Sequence, residues 1–209
     1  MAEDKPIQLD SDDINDFNAH IPSLNSKIPK LKVLLIGGSN AGKTSLVRLF
    51  TTGVRCTDSV TLGSTLNYKD LNVRTSSKSP THQMIRFEIH DLAGSRDYRN
   101  ATTTYYRDVF ALVCVFDITS LHSLQDTIEA LGFYEDYCKK NDITMPQLRI
   151  LIGNKCELEH EFSKENLEKY ASAAKFSAYF DTSVTTGKNI SNVFTFIGQS
   201  YLSQTSNDS

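Results

Sequence analysis

The chain has 209 residues, a hydrophobic content of 39% and a formal net charge of −3. This length predicts one domain with tails, and the hydrophobic content suffices for a sizeable core. The mild charge, without any cluster of Lys or Arg, excludes nucleic acid as the main partner. The four cysteines, at 56, 114, 138 and 156, lack metal-binding spacing. We therefore expect a reduced, cytoplasmic protein without a structural metal.

Residues 1–30 are predicted to form an acidic, polar N-terminal tail. Four aspartates fall between positions 10 and 16, and the surroundings are rich in Ser and Asn. Such a composition buries too little apolar area to fold by itself, so we predict disorder. The alternative is a short docking helix, because Ile14, Phe17 and Ile21 have the spacing of one helical face.

An apolar run at 31–36 predicts a strand, and the eight residues after it fit the pattern G-x-x-x-x-G-K-[ST]. A helix is predicted to begin directly afterwards. In such a loop, backbone N–H groups surround phosphate oxygens, Lys43 reaches the outer phosphates and the Thr44 hydroxyl ligates Mg²⁺. The flanking strand and helix argue against a glycine turn without a ligand. The residues predicted to contact phosphate are Gly38, Ser39, Asn40, Ala41, Gly42, Lys43, Thr44 and Ser45.

Beyond this loop, strands and helices alternate along the chain. The alternation predicts an α/β fold with a mostly parallel six-stranded sheet and helices on both faces. A polar stretch at 74–83 is interpreted as the turn of a long hairpin. The predicted strands are Leu31–Ile36, Leu66–Val73, Met84–His90, Ala111–Phe116, Arg149–Ile152 and Ala178–Phe180. The predicted helices are Thr44–Thr51, Asn100–Arg107, Leu121–Lys139, Lys164–Ala174 (capped by Ser163) and Ile190–Leu202.

Two further motifs narrow the type of nucleotide site. Asp91 ends the third predicted strand and is followed by Leu-Ala-Gly. A carboxylate in this position holds a water on the metal, and the N–H of Gly94 is free to bond a γ-phosphate oxygen. The residues Asn154-Lys155-Cys156-Glu157 follow the fifth strand and resemble N-K-x-D, a loop that reads guanine.

With these motifs the chain resembles the Ras superfamily of small GTPases, and most closely its Rab branch. The resemblance covers roughly 31–202, leaving 203–209 as a C-terminal tail, and it implies the three-layer fold of P-loop GTPases. The further motifs that carry it are Thr61-Leu62-Gly63, Tyr105-Tyr106-Arg107, Phe116-Asp117-Ile118-Thr119 and Asp181-Thr182-Ser183.

The resemblance implies a molecular switch that binds GTP or GDP with Mg²⁺. Thr44 and Thr61 would ligate the metal, Asp91 would hold it through water, and two switch loops would relax when the γ-phosphate leaves. Effector proteins would bind these loops in the GTP state, and an exchange factor and a GTPase-activating protein would act on them. The implied catalytic positions are Lys43, Thr61, Gly94 and Ser95. The implied base-contacting residues are Asn154, Lys155, Glu157, Ser183, Val184 and Thr185.

The chain departs from the family at the hydrolytic position. Ser95 stands where the family has a Gln that orients the attacking water. A serine side chain is too short to replace it, so we expect slow hydrolysis that is poorly stimulated. The alternative is that Arg96, or a residue of a partner, supplies the missing group.

The base-binding loops depart as well. Glu157 replaces the family's Asp, and its extra methylene displaces the carboxylate from the guanine edge unless the loop yields. Val184 and Thr185 replace the Ala and Lys of Ser-Ala-Lys, and no aromatic residue lies between Phe50 and Tyr68 to pack on the base. We therefore expect weakened guanine binding.

No cysteine follows Cys156, so we expect no direct lipid anchor in this chain and any contact with endomembranes to depend on partners. The leading hypothesis is thus an atypical Rab-like switch. The alternative is a pseudo-GTPase scaffold with weak or absent nucleotide turnover. A P-loop kinase or ATPase ranks last, because the chain offers no cluster of lid arginines.

Overall fold

The computed structural model describes residues 28–55, 61, 63–74, 82–160 and 162–207. The predicted N-terminal tail, with its alternative docking helix, lies outside the described residues except for its last three positions. Most of the predicted hairpin turn at 74–83 also lies outside them.

Six strands form one sheet, as predicted from the alternation of elements. Their bounds are β1 Lys30–Ile36, β2 Ser64–Arg74, β3 His82–Leu92, β4 Ala111–Asp117, β5 Leu148–Asn154 and β6 Ala178–Asp181. The strand order is β2-β3-β1-β4-β5-β6, and among the described residues β2–β3 is the one antiparallel pair. Each predicted strand lies within two residues of its observed bounds. The α/β fold with a mostly parallel sheet is therefore confirmed.

In the part of the chain that the structure describes, four α-helices cover the two faces of the sheet. Their bounds are α1 Lys43–Thr52, α2 Leu121–Lys140, α3 Lys164–Ala173 and α4 Ile190–Asn207. Ser163 caps α3 as predicted, since its side chain accepts a hydrogen bond from the N–H of Asn166. Helix α4 continues five residues past its predicted end at Leu202. The apolar periodicity ends there, but no Gly or Pro follows that would stop the helix.

The helix predicted at Asn100–Arg107 is wrong. This segment contains a single turn of 3₁₀ helix at Thr103–Tyr105, and another precedes it at Arg96–Tyr98. The hydroxyl of Thr103 donates to the Asn100 carbonyl at 2.9 Å, and that of Thr102 donates to the Arg99 carbonyl at 3.0 Å. Such short-range bonds compete with the hydrogen bonds of an α-helix, and β-branched residues favour the helix weakly.

Three phenylalanines fix the helix that follows the phosphate loop. Phe50 of α1 stacks on Phe194 of α4 with a centroid distance of 3.7 Å. Phe87 of β3 meets both rings edge-on, at 6.1 Å and 5.8 Å. Phe87 and Phe194 are fully buried. This cluster holds α1 against the sheet and so sets the direction in which its N-terminus points.

The parallel strands bring their carboxyl ends to one edge of the sheet. In doubly wound sheets ligands bind outside this edge. The phosphate loop and the motifs at Asp91, Asn154 and Asp181 lie at strand ends on this edge, and Thr61 precedes the antiparallel β2, which begins there. The motif at 105–107 instead precedes β4, at the amino end of that strand. Among the described residues, no helix is long and apolar enough to cross a membrane.

We expect Phe194→Ala to lower the free energy of unfolding by about 3–5 kcal/mol, because it removes a buried ring and leaves a cavity. Chemical denaturation measures this. The control is Tyr68→Ala, which removes a ring that is 55% exposed and should cost under about 1 kcal/mol. Equal losses from the two variants would contradict the proposed role of the aromatic cluster.

Candidate functional site

The phosphate loop has a backbone that requires glycine. Gly42 has a φ of +89°, and a Cβ there would lie 2.2 Å from the Asn154 side-chain nitrogen. Asn40 also adopts a left-handed φ, of +59°. Helix α1 begins directly after Gly42, and no described side chain caps its first turn. The N–H groups of this turn are therefore available to an anion, which the helix dipole also favours.

Lys43 is buried beneath the same loop. Its ammonium donates hydrogen bonds to the carbonyls of Gly37 at 3.0 Å and Gly38 at 2.8 Å. Burial lowers the pKa of Lys43 to about 8, although the neighbouring Asp91 opposes the shift. The cation is thus held against the loop that would surround the phosphates.

Asp91, Thr44 and Thr61 meet beside the loop. The Thr44 hydroxyl donates to Asp91 Oδ2 at 2.5 Å, the Thr61 hydroxyl does so at 3.4 Å, and the two hydroxyls contact each other. Asp91 is fully buried, and its Oδ1 has no hydrogen-bond partner among the described residues. Burial raises the pKa of Asp91, while the hydrogen bond from Thr44 lowers it.

This group of oxygens fits a magnesium ion. Mg²⁺ prefers hydroxyl, carboxylate and water oxygens, and an unpartnered buried carboxylate oxygen is a group that a cation or its water would satisfy. The structure thus brings together the three residues predicted to hold the metal. Thr65, which also lies 3.5 Å from Asp91 Oδ2, was not predicted.

Gly94 lies directly against the phosphate loop. A Cβ at this position would lie 2.5 Å from the carbonyl group of Gly38 and the nitrogen of Ser39. Only glycine allows this approach. The next residue, Ser95, uses its hydroxyl to accept a hydrogen bond from the N–H of Asp97 at 3.4 Å. The Ser95 side chain therefore caps its own 3₁₀ turn.

The side chain of Asn154 joins the phosphate loop to the loop after β6. Its amide nitrogen donates to the Ala41 carbonyl at 2.9 Å, and its amide oxygen accepts from the Thr182 hydroxyl at 3.0 Å. Asn154 is 1% exposed. The adjacent Lys155 has a φ of +65° and pairs with Asp117 at 2.6 Å. Thr182 and Asp117 stood within predicted motifs but were not predicted as site residues.

Glu157 is an exposed residue in the loop after β5. Partial burial works against its charge, yet its pKa lies below the ordinary value because the Ser183 and Thr185 hydroxyls and Lys155 stabilise the carboxylate. Ser183 is fully buried, and its hydroxyl accepts from the N–H of Thr186 at 3.0 Å. Val184 packs on the core formed with α1 and α4. The carboxylate therefore lies beside the loop after β6, which is predicted to contact the base.

Helix α2 contributes two contacts that the sequence did not reveal. The N–H of Gly38 donates to the hydroxyl of the buried Thr127 at 3.2 Å. Asp126 lies against the same glycine, because a Cβ at Gly38 would be 3.0 Å from the Asp126 Cβ. A threonine or an aspartate within an amphipathic helix gives no pattern that points to a distant loop.

Comparison with known proteins gives the family. The Ras family profile matches residues 32–203. The human Ras-related protein Rab-30 is 31% identical over 166 residues, which are 78% of this chain and 75% of that protein. The mouse Ras-related protein Rab-12 is 28% identical over 168 residues, 79% of this chain and 64% of that protein. The human Ras-related protein Rab-19 is 28% identical over 178 residues, which are 84% of this chain and 76% of that protein.

The profile match spans most of the chain, and the match to Rab-30 covers three quarters of that protein at over 30% identity. Both agree with the order of the motifs and with the observed topology. The chain therefore belongs to the Ras family of small GTPases and is Rab-like.

Proposed function

We propose that this protein is a Rab-type switch that binds GTP and GDP with Mg²⁺, recruits effectors in the GTP state and hydrolyses GTP slowly. The contact that carries the proposal is that of Asn154, whose amide joins Ala41 of the phosphate loop to Thr182. One buried side chain thus connects the region that would bind the phosphates with the region that would bind the base. A glycine turn that binds no nucleotide would not require a contact between these two regions.

The phosphate end of the site retains the required groups. The N–H groups at the start of α1 and the Lys43 ammonium would bind the phosphate oxygens. Thr44 and Thr61 would ligate the metal, and Asp91 would hold one of its waters. Bound Mg²⁺ would neutralise charge on the β- and γ-phosphates.

A hydrogen bond supports the coupling of the two switch segments. The N–H of Ala93 donates to the Gly63 carbonyl at 2.8 Å, so the segments that carry Thr61 and Gly94 are connected through the backbone. Loss of the γ-phosphate would release Thr61 and Gly94 together. The two segments would therefore change conformation as one unit.

Effectors would dock on the outer face of β2 and β3, which begins beside these segments at Leu66 and extends along the strands to Met84. Leu66 and Tyr68 of β2 are 47% and 55% exposed, and Met84 of β3 is 42% exposed. The alternation of the strands places all three on the same face. Exposed apolar side chains at the border of a switch suit protein partners. An exchange factor, a GTPase-activating protein and effectors linking the chain to vesicle trafficking at endomembranes are the expected partners.

The nucleotide that accompanies freshly purified protein tests the proposal. We expect guanine nucleotide, mostly GDP, when the protein is denatured and the released nucleotide is separated by chromatography. Folded protein that is free of nucleotide, and that binds no GTP at millimolar GTP and Mg²⁺, would refute the switch and favour a scaffold. A preference for ATP would favour a kinase or ATPase.

We expect Ser95→Gln to raise the rate of single-turnover GTP hydrolysis by about tenfold or more, because the longer amide reaches the attacking water. The control is Ser172→Gln on the exposed side of α3, which should leave the rate unchanged. If Ser95→Gln has no effect, the water is oriented by another group.

We expect Glu157→Asp to tighten GDP binding by about tenfold to a hundredfold. The shorter carboxylate regains hydrogen bonds to the guanine edge, each worth about 1.5–3 kcal/mol at about 1.4 kcal/mol per tenfold. Competition with a fluorescent GDP derivative measures this, with Glu159→Asp at a nearby exposed position as the control. An unchanged or weaker affinity would contradict our account of this loop.

A further inference from the structure

We propose that Arg96 is an internal arginine finger for GTP hydrolysis, which Asp126 and Glu129 of α2 hold away from the phosphates. The inference rests on the proposed function, because it concerns the hydrolytic step of the same site. Ser95 leaves that step without its usual water-orienting group, and Arg96 is the next residue along the chain. A cation that follows Gly94 so closely is placed to act on the γ-phosphate.

The guanidinium of Arg96 is bound by two carboxylates. Its Nη2 lies 2.6 Å from Glu129 Oε2 and 3.3 Å from Asp126 Oδ1. Both acids belong to α2, one helical turn apart. In this arrangement the Arg96 side chain lies against α2, and its guanidinium is paired with these two carboxylates.

The position of Asp126 places this ion pair next to the phosphate loop. The Asp126 Cβ is 3.0 Å from the point that a Cβ on Gly38 would occupy. Gly94, two residues before Arg96, lies against the carbonyl of the same Gly38. One carboxylate group therefore separates the Arg96 guanidinium from the backbone that would surround the phosphates.

The strength of these ion pairs suits a reversible restraint. The side chain of Arg96 is 61% exposed and that of Glu129 is 49% exposed. Pairs this exposed contribute about 0–1 kcal/mol, so they open readily. Arg99 lies 3.9 Å from the same Glu129 oxygen and can neutralise that carboxylate when Arg96 leaves. Release of Arg96 thus costs little, and bound triphosphate would attract it.

The released arginine would act by electrostatics alone. In the reaction, water attacks the γ-phosphorus, the bond to the β–γ bridging oxygen breaks, and GDP, phosphate and one proton are formed. Arg96 would stay protonated and stabilise the negative charge that develops on the transferred group and the leaving oxygen. Arginine fingers of other GTPases, in cis or in trans, act in this way. A partner with basic side chains facing Asp126 and Glu129 would favour the released state.

A double-mutant cycle tests the restraint. Wild type, Glu129→Gln, Arg96→Ala and the double variant are loaded with GTP, and single-turnover hydrolysis is measured. We expect Glu129→Gln to raise the rate about twofold to fivefold, since it removes the shorter of the two ion pairs. We expect the double variant to hydrolyse GTP no faster than Arg96→Ala.

A second readout does not depend on turnover. Glu129→Gln should tighten binding of a non-hydrolysable GTP analogue relative to GDP, and Arg96→Ala should abolish this gain. The control is Arg86→Ala, which breaks an exposed pair of 2.7 Å with Asp70. Arg86 lies opposite Lys30 at the amino end of β1, away from the carboxyl ends of the parallel strands. It should change neither quantity. Thermal unfolding confirms that each variant is folded.

Two results would overturn the inference. One is that Glu129→Gln has the same hydrolysis rate and the same affinity for the GTP analogue as wild type. The other is a gain that persists when Arg96 is Ala, since another group would then be responsible. If wild type binds guanine nucleotide but the variants give either of these results, only the role of Arg96 is refuted. Failure of wild type to bind guanine nucleotide refutes the proposed function itself.

Discussion

The buried amide of Asn154 is the contact on which the rest of the site depends. It satisfies the Ala41 carbonyl of the phosphate loop and accepts from the Thr182 hydroxyl, so it connects two loops that are far apart in sequence. A Cβ on Gly42 would collide with this amide, which means that the loop closes because glycine stands there. Removing one partner would leave buried polar groups unsatisfied, at a cost of about 1–3 kcal/mol each.

The two ends of the site differ in how firmly their side chains are held. Lys43 and Asp91 are buried and fixed by several hydrogen bonds, whereas Glu157 is exposed and its charge is stabilised by the Ser183 and Thr185 hydroxyls, a backbone N–H and Lys155. At the hydrolytic position the side chains contact other parts of the protein: Ser95 caps its own 3₁₀ turn, and Arg96 pairs with Glu129 of α2. The proposed switch, with firm triphosphate binding, a looser base contact and slow hydrolysis, would follow from this gradient.

Much of the fold could be predicted because it follows from local patterns. Short segments rich in apolar residues, with helices between them, predict the sheet. The glycines at 42 and 94 are explained by the close approach of the backbone at those positions. The segment at 100–107 was predicted wrongly, since its threonines bond to nearby carbonyls. The contacts of Thr127, Asp126 and Arg96 could not be predicted, because they join residues some 30 to 90 positions apart and follow no spacing rule.

The binding of GDP and of Mg²⁺ tripolyphosphate to wild type and to Asn154→Ala tests the central claim most directly. Tripolyphosphate contacts only the phosphate end of the site. If Asn154 organises the phosphate loop as well as the base side, the variant loses about tenfold or more in affinity for both ligands. Lost affinity for GDP with unchanged affinity for tripolyphosphate would contradict the claim, because Asn154 would then serve the base alone.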